Sequence, residues 1–198
     1  MSISLLVIHD GRADYLQRTM RSAARHLPMG VFDDIIEVDD TDHRLGFCGA
    51  IQKGWDQVKT DWVFHLEGDF TFNENIPVPE MIELLRQRQY LAQVALKRQP
   101  WNPEEKRAGG IVELHQHDFH ERHGHGMTWT EHRRFFTTNP SVYSARLCRL
   151  GWPQQPQSEG VFTHRLLQDP LLKFAFWGGK FAFPKVTHIG EHRAGVKY

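Results

Sequence analysis

The chain contains 198 residues, with 24 basic and 24 acidic side chains and a formal net charge of zero. Hydrophobic residues make up 40% of it, which is enough for the core of one ordinary domain. No apolar run approaches the roughly 18 residues that a membrane-spanning helix needs, and the start MSISLLVIHD lacks the basic segment of a signal peptide. The composition therefore argues against a membrane protein and predicts one soluble domain located in the cytoplasm.

The charges are divided unevenly along the chain. Residues 1–85 carry 7 Lys and Arg against 15 Asp and Glu, whereas residues 86–198 carry 17 against 9. An acidic half suits a bound cation, and a basic half suits an anionic partner. The sequence therefore predicts a molecule with two electrostatically different halves.

The first 72 residues alternate between apolar runs and helical patterns. Strands are predicted at 3–8, 34–38 and from residue 62, and helices at 13–26 and about 49–58. This βαβαβ order predicts an α/β fold with a parallel sheet, and such sheets bind ligands at their carboxyl edge. We expect one crevice at that edge to collect the polar strand ends, which are His9, Asp10, Asp39, Asp40, Glu67 and Asp69.

The stretch WVFHLEGDFTF supplies the strongest chemical signal. Glu67 and Asp69 follow a buried strand and are separated by Gly68, so both carboxylates can face the edge of the sheet. Carboxylate oxygens suit Mg²⁺ or Mn²⁺, which proteins commonly hold with one or two carboxylates and the phosphates of a substrate. The alternative is a solvated acidic turn.

The second half of the chain is less regular. A helix is predicted at 77–90 and a strand at 91–96, while residues 97–134 are polar, rich in glycine and histidine, and expected to be irregular. Further elements are predicted at 135–143, 145–150 and 159–168, followed by a tail with short apolar runs. No internal repeat or linker is evident, which predicts a single domain over residues 1–198.

The order of several segments resembles the GT-A fold glycosyltransferases, particularly the family-2-like enzymes. The segments are HDGRADYLQRTMRSA, VDD, LEGD, TTNPSVYSARLCRLGWP, SEGVFTHRL and a late HIG. The resemblance runs from residue 3 to about 190 and is weakest across 97–134. It implies a Rossmann-like, mostly parallel sheet flanked by helices, a nucleotide-sugar-binding half at 1–96 and an acceptor-side half at 97–198. It also implies a nucleotide-diphospho-sugar donor, with a UDP-sugar favoured.

The resemblance assigns a metal site for Mn²⁺ or Mg²⁺. The D-x-D motif of the family is Glu67-Gly68-Asp69 here, which makes Asp69 the direct ligand and Glu67 an indirect one. His188 matches the late histidine that completes the metal shell in many of these enzymes, with His192 as the alternative. Considered alone, His188 would more often be a packed or solvent-facing histidine, and its position relative to Gly190 is what favours a ligand.

Nucleotide recognition is expected at the first two strand ends. Asp39 and Asp40 can accept hydrogen bonds from a uracil or a ribose, His9 and Asp10 can line the base, and Arg44 is a candidate contact for the diphosphate. The alternative for both strand-end aspartates is that they cap the following loop.

Glu159 is the candidate general base. An inverting transferase needs a group that takes the proton of the attacking hydroxyl, and SEGVFTHRL resembles the segment in which the family supplies it. A carboxylate at the start of a helix is also stabilising through capping and the helix dipole. The resemblance favours the base role over a purely stabilising one.

The acceptor is left open between a saccharide, a protein and a nucleic acid. In its compact length and its cluster of Arg122, Arg133 and Arg134 with aromatic neighbours, the chain resembles bacteriophage glycosyltransferases that modify hydroxymethylated pyrimidines in DNA. Basic surfaces with aromatic neighbours also bind nucleic acid in general. A non-catalytic nucleotide- or nucleic-acid-binding module is a further alternative.

The histidines between 115 and 132 have two interpretations. One is a zinc site, although neither cysteine is near. The favoured one is an acceptor-side loop, in which Trp101, Phe119 and Trp129 offer flat surfaces for stacking.

Overall fold

The computed structural model describes residues 2–42 and 45–190. Its strands are β1 (Ile3–His9), β2 (Asp34–Asp39), β3 (Trp62–Glu67), β4 (Phe70–Phe72), β5 (Leu91–Ala95), β6 (His120–Gly124), β7 (Met127–His132), β8 (Ser141–Ser144), β9 (Lys173–Trp177) and β10 (Val186–His188). Its α-helices are α1 (Ala13–His26), α2 (Gly46–Gln57), α3 (Val78–Gln87), α4 (Pro103–Ala108), α5 (Ile111–Leu114) and α6 (Ser158–Leu166).

Eight strands form one sheet in the order β2-β1-β3-β8-β5-β9-β7-β6. The strands β2, β1 and β3 are parallel to one another, as are β5 and β9, while β8 and β7 run against their neighbours. Six of the eight strands therefore point the same way, which confirms the α/β fold with a mostly parallel sheet. Strands β4 and β10 form a separate antiparallel pair, in which Phe70 lies opposite His188.

Hydrophobic side chains cover both faces of the sheet. Successive residues of a strand point to opposite faces. Leu5 and Val7 of β1 accordingly pack with residues of α1 and α3, while Leu6 and Ile8 pack with residues of α2 and α6. Because neither face meets water, the first strand is apolar without alternation.

The expectation that residues 97–134 are irregular is wrong. Asn102 begins α4 by accepting a hydrogen bond of 2.8 Å from the Glu105 N–H, and a hairpin of β6 and β7 extends the main sheet beside β9. The sequence of β6, HERHG, is polar because this strand lies exposed at the edge of the sheet.

Two of the three aromatic side chains expected to offer stacking surfaces belong to the core. Phe119 is 1% exposed and Trp129 is 2% exposed, so neither can stack on a ligand.

The helix predicted at 145–150 is only a short 3₁₀ turn, Cys148–Leu150. Across the described ranges, none of the helices is both long enough and apolar enough to cross a bilayer.

Candidate active site

A cleft of about 1220 Å³ opens at the carboxyl ends of β1 and β3. Its other walls are the start of α2, the loop 135–139, and the segment that leads into α6. The predicted site residues that line it are His9, Asp10, Asp40, Glu67, Asp69, Glu159 and His188. Topology explains the convergence of those that end or follow β1, β2 and β3, because parallel strands place their carboxyl ends at one edge of the sheet.

Glu67, Asp69 and His188 meet at one point of this cleft. Each offers a ligand atom within 4.8 Å of the other two. Glu67 ends β3, Asp69 precedes β4, and His188 ends β10, which pairs with β4. His188 Nε2 lies 3.1 Å from Asp69 Oδ2, so the short second sheet brings together groups that are 119 positions apart in the sequence.

Two glycines make room for this cluster. A Cβ atom at Gly68 would lie 2.5 Å from His9 Cβ, and a Cβ atom at Gly190 would lie 2.2 Å from Asp69 Oδ2. Both distances are too short for real side chains. Gly68 also donates a hydrogen bond of 2.7 Å from its N–H to the Ile8 carbonyl. Gly68 therefore lets the chain pass close to the end of β1, and Gly190 lets it pass close to the carboxylate of Asp69.

The cluster fits a divalent cation by its chemistry. Two carboxylates and one imidazole combine hard oxygen donors with a nitrogen donor, which suits Mn²⁺ and related divalent ions. Within residues 2–42 and 45–190, no second group of three such side chains converges, and the histidines between 115 and 132 form none. The zinc interpretation of that segment therefore has no support in the described structure.

Arg12 reaches into the same cluster from the loop after β1. Its Nε donates to both oxygens of Asp10, at 2.8 and 2.9 Å, and its Nη2 donates to Asp69 Oδ2 at 3.0 Å. Burial alone lowers the pKa of Arg12, but the hydrogen bonds and charges of Asp10 and Asp69 outweigh it and raise the pKa. Arg12 was not predicted as a site residue, although it follows an acidic strand end in the segment HDGR.

The candidate nucleotide side contains His9 and Asp40. His9 Nε2 lies 3.0 Å from Glu37 Oε1, and its Nδ1 accepts a hydrogen bond from the Gly11 N–H. Asp40 accepts from the N–H groups of Leu45 and of Gly46, the latter at 2.8 Å. Asp40 therefore caps the start of α2 while it also lines the cleft.

Asp39, another predicted nucleotide contact, is not among the residues that line the cleft. The side chain of Asp39 is 55% exposed, lies 3.8 Å from His9 Nδ1, and accepts hydrogen bonds from Thr41. Arg44 and the alternative metal ligand His192 fall outside the described residues. The roles proposed for these three residues stay predictions.

Glu159 lies in the first turn of α6, and its carboxylate is held by the loop that follows Phe136. Glu159 Oε1 accepts two hydrogen bonds from Thr138, at 2.7 Å from the backbone N–H and at 2.9 Å from the hydroxyl. The buried Gln93 fixes this loop, because its amide donates to the Thr137 carbonyl at 2.6 Å and accepts from the Thr137 N–H at 3.0 Å. The side chain of the N-cap residue Gln157 makes no capping hydrogen bond to α6, and Glu159 lines the cleft.

An open α/β sheet with an acidic cluster and a large cleft at its carboxyl edge is the arrangement of the GT-A class of folds. Residues 2–147 match the family described as Glycosyl transferase family 2, and the chain belongs to this family. Glu159 and His188 lie beyond the matched residues. A comparison with curated protein sequences gives no match.

Solved structures support the same fold. The crystal structure of GalNAc-T7 with UDP, GalNAc and Mn²⁺ is similar over 95% of this chain and 44% of that one, with a TM-score of 0.62 and 13% identity. TarS of S. aureus, residues 1–349, is similar over 96% of this chain and 61% of that one, with a TM-score of 0.59 and 11% identity. This chain therefore spans less than two thirds of either protein, and at these identities the likeness concerns the fold alone.

Proposed function

We propose that this chain is a metal-dependent glycosyltransferase that moves a sugar from a nucleotide-diphospho-sugar, with a UDP-sugar favoured, to an acceptor hydroxyl. The observation that carries the proposal is the meeting of Glu67, Asp69 and His188 in one cleft that also contains Glu159. Membership of glycosyl transferase family 2 supports it. The presence of UDP and Mn²⁺ in the GalNAc-T7 structure is consistent with it.

The acidic cluster is assigned to the donor. Asp69 and His188 would hold Mn²⁺ or Mg²⁺ directly, with Glu67 beside them. Such an ion stabilises the negative charge that grows on the leaving nucleotide diphosphate. His9, Asp10 and Asp40, at the neighbouring strand ends, are assigned to the nucleoside, and Asp39 and Arg44 are assigned to the same donor as predictions.

Glu159 is assigned to the acceptor. As a general base it would take the proton of the attacking hydroxyl, so that the reaction inverts configuration at the sugar. Thr138 occupies Oε1 with two hydrogen bonds, which leaves Oε2 as the oxygen for proton transfer. This fixed orientation favours the catalytic role of Glu159 over a purely capping one.

The acceptor itself is a separate question, and a 5-hydroxymethylpyrimidine in DNA stays a prediction. The three arginines on which the DNA prediction depended make hydrogen bonds or ion pairs within the protein. Arg133 donates hydrogen bonds to four backbone carbonyls, including that of Leu172 at 2.8 Å. Arg134 pairs with Asp118, and Arg122 lies 3.6 Å from Glu131. Charge reversal at these positions would therefore disturb the structure as well as any binding.

A better test of DNA binding uses the exposed face of α1. Arg18, Arg21 and Arg25 line a shallow concavity of about 360 Å³, and within the described chain they have no ion-pair partner. If DNA binds to this face, its affinity should decrease as the salt concentration rises. Charge reversal of these arginines should make that decrease less steep, because fewer counterions are released on binding. Incubation with a nucleotide sugar and either hydroxymethylated or unmodified duplex DNA then decides whether DNA is the acceptor. The sugar added to the DNA is measured by mass spectrometry.

The proposed function is tested by incubating the chain with a panel of nucleotide-diphospho-sugars and Mn²⁺ and measuring released nucleotide diphosphate. We expect release with at least one UDP-sugar, and its loss on chelation by EDTA. If the chain binds a nucleotide sugar but releases no nucleotide diphosphate with any acceptor tested, the result would instead support the non-catalytic binding module.

A further inference from the structure

The imidazole of His188 is enclosed between two aromatic rings. Its ring centroid lies 4.6 Å from that of Phe70, with 18° between the planes, and 4.4 Å from that of Trp101, with 30° between the planes. Only 13% of the side chain is exposed. Rotation of the imidazole about its side-chain bonds is therefore blocked on both faces, while Nε2 lies in contact with Asp69.

The backbone of His188 is held by the same segment that carries Trp101. Gln99 Nε2 donates to the His188 carbonyl at 2.9 Å, and Gln99 Oε1 accepts from the His188 N–H at 2.9 Å. These contacts matter because β10 and β4 are three-residue strands, and an isolated two-stranded pair is only marginally stable. Gln99 thus reinforces the strand end on which the histidine is carried.

The position of Trp101 is fixed in turn by the start of α4. Glu105 is 3% exposed and accepts hydrogen bonds from the Trp101 N–H at 2.8 Å and from Arg98 at 2.9 and 3.2 Å. The Arg98 guanidinium also lies over the indole, 5.5 Å from its centroid. The indole that covers His188 is therefore held by a buried polar network.

We propose that Gln99 and Trp101 are positioning residues that hold His188 in the orientation required of a metal ligand. The proposal rests on the metal site of the proposed function. A ligand binds best when its geometry is set before the ion arrives, and the partners that orient a metal-binding histidine typically contribute 10- to 100-fold to affinity. The segment 98–105 thus supports the cation site, although it contributes no ligand atom to it.

The test is an Mn²⁺ titration in the presence of UDP, with free Mn²⁺ followed by electron paramagnetic resonance and a protein-free titration subtracted. We expect Gln99→Met and Trp101→Leu each to weaken Mn²⁺ binding about tenfold, and Trp101→Phe, which keeps a flat ring, to retain most of the affinity. Phe181→Leu, at an exposed aromatic away from the cleft, is the matched control. Circular dichroism and thermal unfolding verify that each variant is folded.

A double-mutant cycle separates the positioning role from a general loss of structure. In a His188→Ala background, Trp101→Leu should have no further effect on Mn²⁺ binding, because the ring that it orients is gone. An equal loss in both backgrounds overturns the proposal. The positioning role alone is overturned if His188→Ala binds Mn²⁺ more weakly while Gln99→Met and Trp101→Leu bind it normally. If the unmodified chain does not bind Mn²⁺, the metal site is overturned as well.

Discussion

At the floor of the cleft, Arg12 donates a hydrogen bond of 3.0 Å to Asp69 Oδ2. A positive side chain thus already lies against the carboxylate that is best placed to bind a cation. The same guanidinium holds Asp10 through its Nε, so Arg12 links the loop after β1 to the loop after β3. This link orders the acidic cluster and lowers its net negative charge at the same time.

The position of Arg12 predicts competition between its guanidinium and a metal ion. Arg12→Gln removes one positive charge beside Asp69, and we expect Mn²⁺ to bind several-fold more tightly, by about 1 kcal/mol. The measurement is an Mn²⁺ titration of the free protein. Arg18→Gln, which removes an exposed arginine of α1, should leave the affinity unchanged. Unchanged or weaker Mn²⁺ binding by the Arg12 variant would show that Arg12 does not oppose the ion.

Gly190 provides a second and purely steric prediction. An alanine Cβ would lie 2.2 Å from Asp69 Oδ2 and 2.9 Å from Asp69 Cγ, so Gly190→Ala must push the carboxylate away. We expect Mn²⁺ affinity to fall by at least tenfold. The control is Gly30→Ala, where nothing lies within 4 Å of the new Cβ. Equal Mn²⁺ affinity in both variants would place the metal away from Asp69.

Glu159 is tested by a change that preserves its size. Glu159→Gln should lower turnover by about a hundredfold or more, because an amide cannot take a proton from the acceptor. Binding of the nucleotide sugar, measured by calorimetry, should be preserved. A structural role alone would cost roughly 1 kcal/mol of stability and little activity. Near-normal turnover in this variant would remove Glu159 as the base and would point to a retaining mechanism.

The sequence predicts the first half of the fold well because the signals there are local. The apolar runs at 3–8 and 34–38 identify strands, and the order of strands and helices then places their polar ends at one edge. The site contacts that sequence analysis missed join distant positions. Arg12 is 57 residues from Asp69, and Gln99 is 89 residues from His188. No periodicity or motif links such pairs.

The hairpin of β6 and β7 was missed for a different reason. Its first strand is exposed and polar, so it lacks the alternation of apolar residues that identifies a strand. His125 and Gly126, which connect the two strands, both adopt positive φ, at 49° and 75°. Two such residues form the tight turn that suits a β-hairpin. In the sequence, the glycine at 126 is compatible with such a turn, because glycine adopts positive φ at little cost.

Acid should destabilise the protein through His132. This imidazole is buried among Phe119, Phe135 and Phe176, and burial, with a smaller contribution from the charge of Arg134, lowers its pKa to about 3. Between pH 6.5 and 3 the unfolded chain binds a proton at this site that the folded chain does not. Stability is therefore fully present above pH 6.5 and falls as the pH decreases, by about 1.4 kcal/mol per pH unit.

His132→Phe should remove this contribution. We expect the difference in unfolding free energy between pH 7.5 and pH 5.0, measured with urea, to shrink by about 2 kcal/mol relative to the unmodified chain. His65, whose pKa burial also lowers to about 3, should maintain part of the acid sensitivity. The same pH dependence in the variant and the unmodified chain would mean that His132 binds a proton as readily in the folded chain as in the unfolded one.

The central claim is that Asp69 holds a divalent cation for transfer of a sugar from a nucleotide-diphospho-sugar. Its most direct test is Mn²⁺-dependent release of nucleotide diphosphate by Asp69→Ala, with Asp14→Ala, an exposed aspartate of α1, as the matched control. We predict release at the background level in Asp69→Ala, normal release in Asp14→Ala, and native circular dichroism in both. Undiminished Mn²⁺-dependent release by a folded Asp69→Ala variant would contradict the account.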